Sequence, residues 1–146
     1  MDVILLARCF VCLFFAVLFL QSGLDKVVDW TGNLSFLDGH FDKSFLGRLV
    51  LPLLAGITLM ELGTGVLCLG SVASLLTHGG ENVPIAALSM ACLTLIMLFS
   101  GQRIVKDYPG AATITTYFGV AIVGLILMWP ALPQLATELQ KAAQSQ

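Results

Sequence analysis

The chain has 146 residues, of which 58% are hydrophobic and only 11% charged, and its mean hydropathy is +0.94. A soluble domain carries roughly 25% charged residues, so this composition cannot cover a surface facing water, and lipid is the solvent that fits it. The formal net charge of −2 comes without any basic run, which argues against nucleic acid as a partner.

Taken in order, four apolar runs are each close to the roughly 20 residues that cross a bilayer's hydrocarbon. The first runs from Val3 to Leu24. Met1 and Asp2 give it no basic leader, and Gln21-Ser22-Gly23-Leu24 gives it no small-residue cleavage site, so it reads as a retained span and not as a signal sequence. The second runs from Leu49 to Leu76, the third from Pro84 to Gly101 and the fourth from Ala111 to Trp129. The expected fold is therefore an all-α, single-domain membrane protein, a bundle of four transmembrane helices embedded in the lipid bilayer.

The connections are unequal. Loop one, Asp25 to Arg48, carries the charges Asp25, Lys26, Asp29, Asp38, Asp42, Lys43 and Arg48 together with Trp30, Phe36, Phe41 and Phe45. Charge mixed with aromatics predicts a segment on the membrane surface, including a short interfacial helix. Loop two is Thr77 to Asn82, with Pro84 placed to open the third span. In loop three, Gln102 to Gly110, the Pro109-Gly110 pair predicts a turn. Pro130 and Pro133 should stop the last span, and the polar tail from Gln134 can form a short surface helix. Loops one and three share a side and hold Lys26, Lys43, Arg48, Arg103 and Lys106, against Arg8 and Lys141 on the other. Basic residues favour the cytoplasm, so both termini are expected outside.

Glu61 is the most informative residue, because a carboxylate inside a span needs a partner or a function. Counted from Leu49 at 1.5 Å per residue, it lies about 18 Å deep, which leaves about 12 Å to the opposite surface of a 30 Å core. Arg8 enters from that surface to about 7 Å. An Arg8–Glu61 ion pair is therefore expected, serving either to lock two spans or to bind substrate or protons. Thr58, Thr64 and Cys68 share a face with Glu61. That stripe either lines a cavity or consists of threonines bonded back to their own helix. A second cluster, Gln102, Arg103, Lys106, Asp107 and Tyr108, closes the third span on the side where Asp25 and Lys26 end the first. Convergence of those ends would make a mixed-charge vestibule for a quinone head, an anion or a partner subunit, against the simpler reading of snorkelling side chains.

Other chemistry is argued against. Cys9, Cys12, Cys68 and Cys92 all lie in apolar segments and read as small packing residues. His40 and His78 fall on opposite sides of the membrane, which excludes a paired haem or metal site within one chain. Gly23 and Gly63-Thr64-Gly65 should allow close helix approach.

Three stretches resemble the DoxX family of small four-span membrane proteins. They are the first span with Arg8 near its start and Phe19-Leu20-Gln21-Ser22-Gly23-Leu24-Asp25-Lys26 at its end, Glu61-Leu62-Gly63-Thr64-Gly65, and Gly101-Gln102-Arg103-Ile104-Val105-Lys106-Asp107-Tyr108-Pro109-Gly110-Ala111-Ala112. The resemblance implies a bacterial inner-membrane protein, a subunit of or associated with a quinone-linked oxidoreductase complex such as thiosulfate:quinone oxidoreductase. It also implies a quinone as ligand and other membrane or soluble redox subunits as partners. The competing expectation is a non-enzymatic accessory or assembly subunit. A small transporter is a third reading, motivated only by the polar stripe beside Glu61.

Overall fold

A computed structural model describes residues 3–41, 49–77, 79–129 and 132–144. Six helices follow one another: α1 (Val3–Val28), α2 (Trp30–Phe41), α3 (Val50–Leu76), α4 (Asn82–Ile104), α5 (Tyr108–Leu127) and α6 (Leu132–Gln144). Helices α1, α3, α4 and α5 are each long and apolar enough to cross a membrane. The chain is thus an all-α, multi-pass membrane protein built on a four-helix bundle. Asp42, Lys43, Phe45, Arg48, His78 and Pro130, named above in loops one and two and at the end of the last span, lie outside the described residues.

The four long helices run up, down, up and down. Helix α1 packs on α3, α3 on α4 and α4 on α5, and a smaller contact between α1 and α5 closes the ring. Lipid is as apolar as leucine, so hydrophobicity alone does not say which face turns inward. Val17, Leu59 and Val66 are more than half exposed and face outward. The interior takes what packs tightly or must be hidden: Phe15 and Phe19 of α1, Cys68 of α3, Ala87, Leu88, Ala91 and Leu95 of α4, and Ala121 of α5. All four cysteines are unbonded, and Cys12, Cys68 and Cys92 are buried among these apolar neighbours.

The α1–α3 contact is the most extensive. A Cβ on Gly23 would come within 2.7 Å of the Leu62 side chain, and one on Gly65 within 2.9 Å of the Leu20 backbone nitrogen. Each helix thus lays a leucine over the other's glycine, two residues that allow backbones to approach. Gly63, by contrast, has only an ordinary contact, 3.6 Å to the Met90 methyl.

The elements at the ends differ from expectation in instructive ways. Helix α1 runs four residues past Leu24, so Asp25 and Lys26 belong to it and not to a loop. Asp29 breaks the axis: its carboxylate accepts from Gly32 N at 3.1 Å, capping α2, which folds back against α3. The expected Pro109-Gly110 turn lies instead inside the first turn of α5. Asp107 caps that helix by accepting from Gly110 N at 3.1 Å, and a proline fits there because first-turn nitrogens need no helical acceptor. The reversal falls three residues before the proline, at Lys106, whose φ of 64° is left-handed. Beyond α5, the polar tail forms α6, which opens with Pro133 in its first turn.

Candidate functional site

Two buried charge clusters and one pocket occupy opposite ends of the bundle. At the loop-one end, Glu61 on α3 is 1% exposed and faces Ser22 and Lys26 on α1. The Ser22 hydroxyl donates to Glu61 Oε1 at 3.0 Å. The Lys26 ammonium donates to the same oxygen at 3.1 Å and to Ser22 Oγ at 2.8 Å. It also lies 2.8 Å from Glu61 Oε2. That second approach is an ionic contact only, because Oε2 is buried without a hydrogen-bond donor among the described residues. The positions follow from helix periodicity. Ser22 and Lys26 are four residues apart, one above the other on the face of α1 that meets α3. The lysine stem lies along the helix with its head turned inward, and its side chain is 18% exposed.

At the opposite end, Arg8 binds three acceptors. Its Nε donates to Leu127 O at 2.7 Å, one terminal nitrogen to Glu81 Oε1 at 2.9 Å and the other to Trp129 O at 3.3 Å. The carbonyls at the end of α5 have no helical partner and carry the negative end of its dipole, so a cation there satisfies both. Glu81 sits at the start of α4, and one guanidinium thereby joins α1, α4 and α5.

The expected Arg8–Glu61 pair is therefore corrected: Arg8 pairs with Glu81, and Glu61 with Lys26. Counting depth from the start of each helix assumes that all helices begin flush. They do not. Glu61 is level with Ser22, which lies 14 residues beyond Arg8 on α1, or about 21 Å along the axis. Glu81 is a partner that the sequence reading missed. The signal that finds it is topological, since loop two opens on the same face as the start of the first span.

The stripe around Glu61 is interior, and none of Thr58, Thr64 and Cys68 lines the pocket between α2, α3 and α4. The Thr58 hydroxyl donates to Leu54 O at 2.7 Å, and Cys68 is part of the core. Thr64 and Thr94 meet across α3 and α4 at 3.1 Å. Thr94 already donates its proton to Met90 O at 2.9 Å, so Thr64 is the donor between them.

The residues proposed for a vestibule divide into two groups. Lys26 turns inward to Glu61, while Asp25 remains exposed and its carbonyl accepts from Asp29 N at 3.0 Å. The second group closes on itself around the α4–α5 turn: the Arg103 guanidinium lies 4.8 Å from the centre of the Tyr108 ring, Asp107 caps α5, and Lys106 is exposed in the left-handed turn. No hydrogen bond or ion pair described here joins the two groups.

Gln102 departs from its neighbours. It lines a half-open apolar pocket of about 390 Å³ between α2, α3 and α4. Phe36, Leu37, His40 and Phe41 close it from α2, Leu54 and Ile57 from α3, and Met97 and Gly101 from α4. The Phe41 ring touches Gly101, its Cζ 3.7 Å from where a Cβ would stand. The His40 ring stacks on Phe36 at 5.4 Å and meets Phe41 edge-on at 5.7 Å. Gln102 Oε1 is buried with no hydrogen-bond partner among the described residues. The deepest α3 residue of the pocket, Ile57, lies one turn, about 6 Å, from Glu61 along the axis. The Gln102 carboxamide itself lies against Gly110 at the start of α5, its carbon 3.0 Å from where a Cβ would stand, so the arrangement offers an apolar body a place at the bundle's end with the His40 imidazole at hand and a buried ion pair just below.

Comparison with protein-family models, characterised proteins and solved structures returns no match.

Proposed function

We propose that the chain is an integral membrane subunit of, or associated with, a quinone-linked respiratory or oxidoreductase complex, and that a partner subunit carries the electrons. The observation that carries this reading is the pocket between α2, α3 and α4, placed one helical turn from the buried Glu61–Lys26 pair. Ligand sites for lipid-soluble molecules combine apolar walls of this volume with a few converging polar groups. An ionised pair inside a membrane segment is a functional candidate by default. The resemblance of the Glu61 and Gln102–Tyr108 stretches to DoxX proteins points the same way. In this reading loops one and three face the cytoplasm of a bacterial inner membrane, where Arg103 and Lys106 are exposed to a partner.

A second reading, an accessory or assembly subunit without a ligand, is favoured by the Arg8 clamp and the Lys26–Glu61 pair, each of which joins helices and so accounts for the buried charges as scaffolding. Affinity purification of the full chain from native membranes in mild detergent, with mass spectrometry and extraction of bound quinones, separates the two. A redox subunit and quinone in near-stoichiometric amounts support the first reading. A partner without quinone supports the second. A lone, monodisperse chain sinks both.

A further inference from the structure

The last helix has one apolar side, and the bundle leaves part of that side uncovered. We propose that α6 lies in the headgroup–acyl boundary of the bilayer at the terminal end of the bundle, its leucine-bearing side toward the acyl chains, and that it takes uncharged lipid as readily as anionic lipid. This surface is separate from the pocket and from both buried ion pairs, and the inference does not rest on a quinone.

The periodicity of α6 separates two kinds of residue. The positions of Leu132, Leu135, Ala136, Leu139 and Ala143 share an arc of about 100° around the helix axis. Gln134, Glu138, Gln140, Lys141 and Gln144 fall on the remaining side. On the apolar arc Leu139 is 64% exposed and Ala143 is exposed, so the bundle does not cover those positions. Helices shorter than roughly 12–15 residues are marginal in water by themselves. With 13 residues, α6 needs a surface that buries its arc. Lipid is the surface next to it. Val123 and Ile126 are each 55% exposed on the outer side of α5, and Trp129 at its end is 61% exposed. Leu132 follows Trp129 by three residues, a span of at most about 11 Å, so α6 begins within reach of the boundary that a terminal tryptophan marks. Charge does not select the lipid. Glu138 and Lys141, which pair at 3.0 Å, are the only charged side chains of the helix, so no net charge draws it to anionic headgroups. Attachment to α5 takes the place of that attraction. The Arg8 guanidinium donates to Trp129 O at 3.3 Å, which fixes the point from which α6 departs and holds the helix at high local concentration over the lipid.

The test uses the full chain, one copy per phosphatidylcholine nanodisc, with Trp30→Phe and Trp129→Phe so that a single introduced indole reports. Lipid brominated near the top of its acyl chains is the quencher. Leu139→Trp should lose about half its emission or more in brominated lipid, as expected of a ring 5–10 Å below the headgroups, while Lys141→Trp should lose no more than about a tenth. Adding phosphatidylglycerol should leave both values unaltered within about a fifth, because the helix has no net charge. In the otherwise natural chain, Leu139→Glu should speed amide exchange over residues 134–144 about tenfold, and Glu138→Gln by less than about twofold. Thermal unfolding of each variant establishes that the bundle is folded. Equal quenching at the two positions, quenching at neither, or a requirement for anionic lipid overturns the proposal, as does exchange unchanged by Leu139→Glu in folded protein. Quenching of Leu139→Trp that disappears when two copies share a disc assigns the arc to a second copy of the chain and overturns the proposal as well.

Discussion

The two ends of the bundle bury charge in different ways. At the terminal end a guanidinium reaches three acceptors supplied by two other helices, two of them backbone carbonyls at the end of α5 and the third a carboxylate that is 27% exposed. At the loop-one end an ammonium and a serine serve one carboxylate that is 1% exposed. Arginine's rigid fork suits fixed, directional acceptors, and lysine's compact charge on a flexible stem can be withdrawn toward the surface. The first arrangement is a clamp in which the partly exposed Glu81 carboxylate has an alternative in water. The second leaves Glu61 with Ser22 as its remaining hydrogen-bond partner among the described residues once Lys26 is removed.

That asymmetry can be broken experimentally. The largest effect is expected from Lys26→Met, which strands the Glu61 carboxylate and should cost about 3–5 kcal/mol of bundle stability. Adding Glu61→Met should recover most of the loss, since an apolar pair of similar size replaces the ionic one. Unfolding in mixed detergent micelles measures both, and a double variant no better than the single removes the pairing from the account. Arg8→Met should cost less, about 1.5–3 kcal/mol, because the partly exposed Glu81 carboxylate can turn to interfacial water. If Arg8→Met proves the more damaging of the two, the contrast between the ends is reversed. The smallest effect is expected at mid-bundle, where Thr64→Val removes one neutral inter-helix hydrogen bond. A loss of about 0.6 kcal/mol in the same assay is the magnitude typical of such bonds in membranes. A loss approaching that of Lys26→Met would make the α3–α4 hydroxyl pair, and not the charged ends, the main lock.

The spans were readable because their signal is sheer length of apolar sequence, which needs no knowledge of neighbours. Their ends were less so. Helix α1 continues through Asp25 and Lys26 because Lys26 finds a buried carboxylate, a tertiary fact that hydropathy does not contain. Pro109-Gly110 reads as a turn in isolation, whereas Asp107 two residues before it caps a helix that takes both residues into its first turn. Glu61 calls for a partner by sequence alone, but Lys26 falls by sequence into the other cluster, because matching depths requires the offset between helices. Gln102 was grouped with its charged neighbours by sequence proximity. Its place in the pocket depends on α2 folding back over α3 and α4, which no periodicity in the chain announces.

The interlocked leucines and glycines of α1 and α3 also bear on how the protein is made. Helix α1 is synthesised first, and it brings Ser22 and Lys26 to a defined depth before α3 exists. Entering lipid alone, α3 would carry Glu61 at a cost of about 2.5–3.5 kcal/mol. Placed beside α1, with Leu20 seated on Gly65 and Leu62 on Gly23, it meets its counter-charge inside the bundle. The earlier helix thus acts as a template for inserting the later one, and the order of segments along the chain is part of what makes the buried acid tolerable.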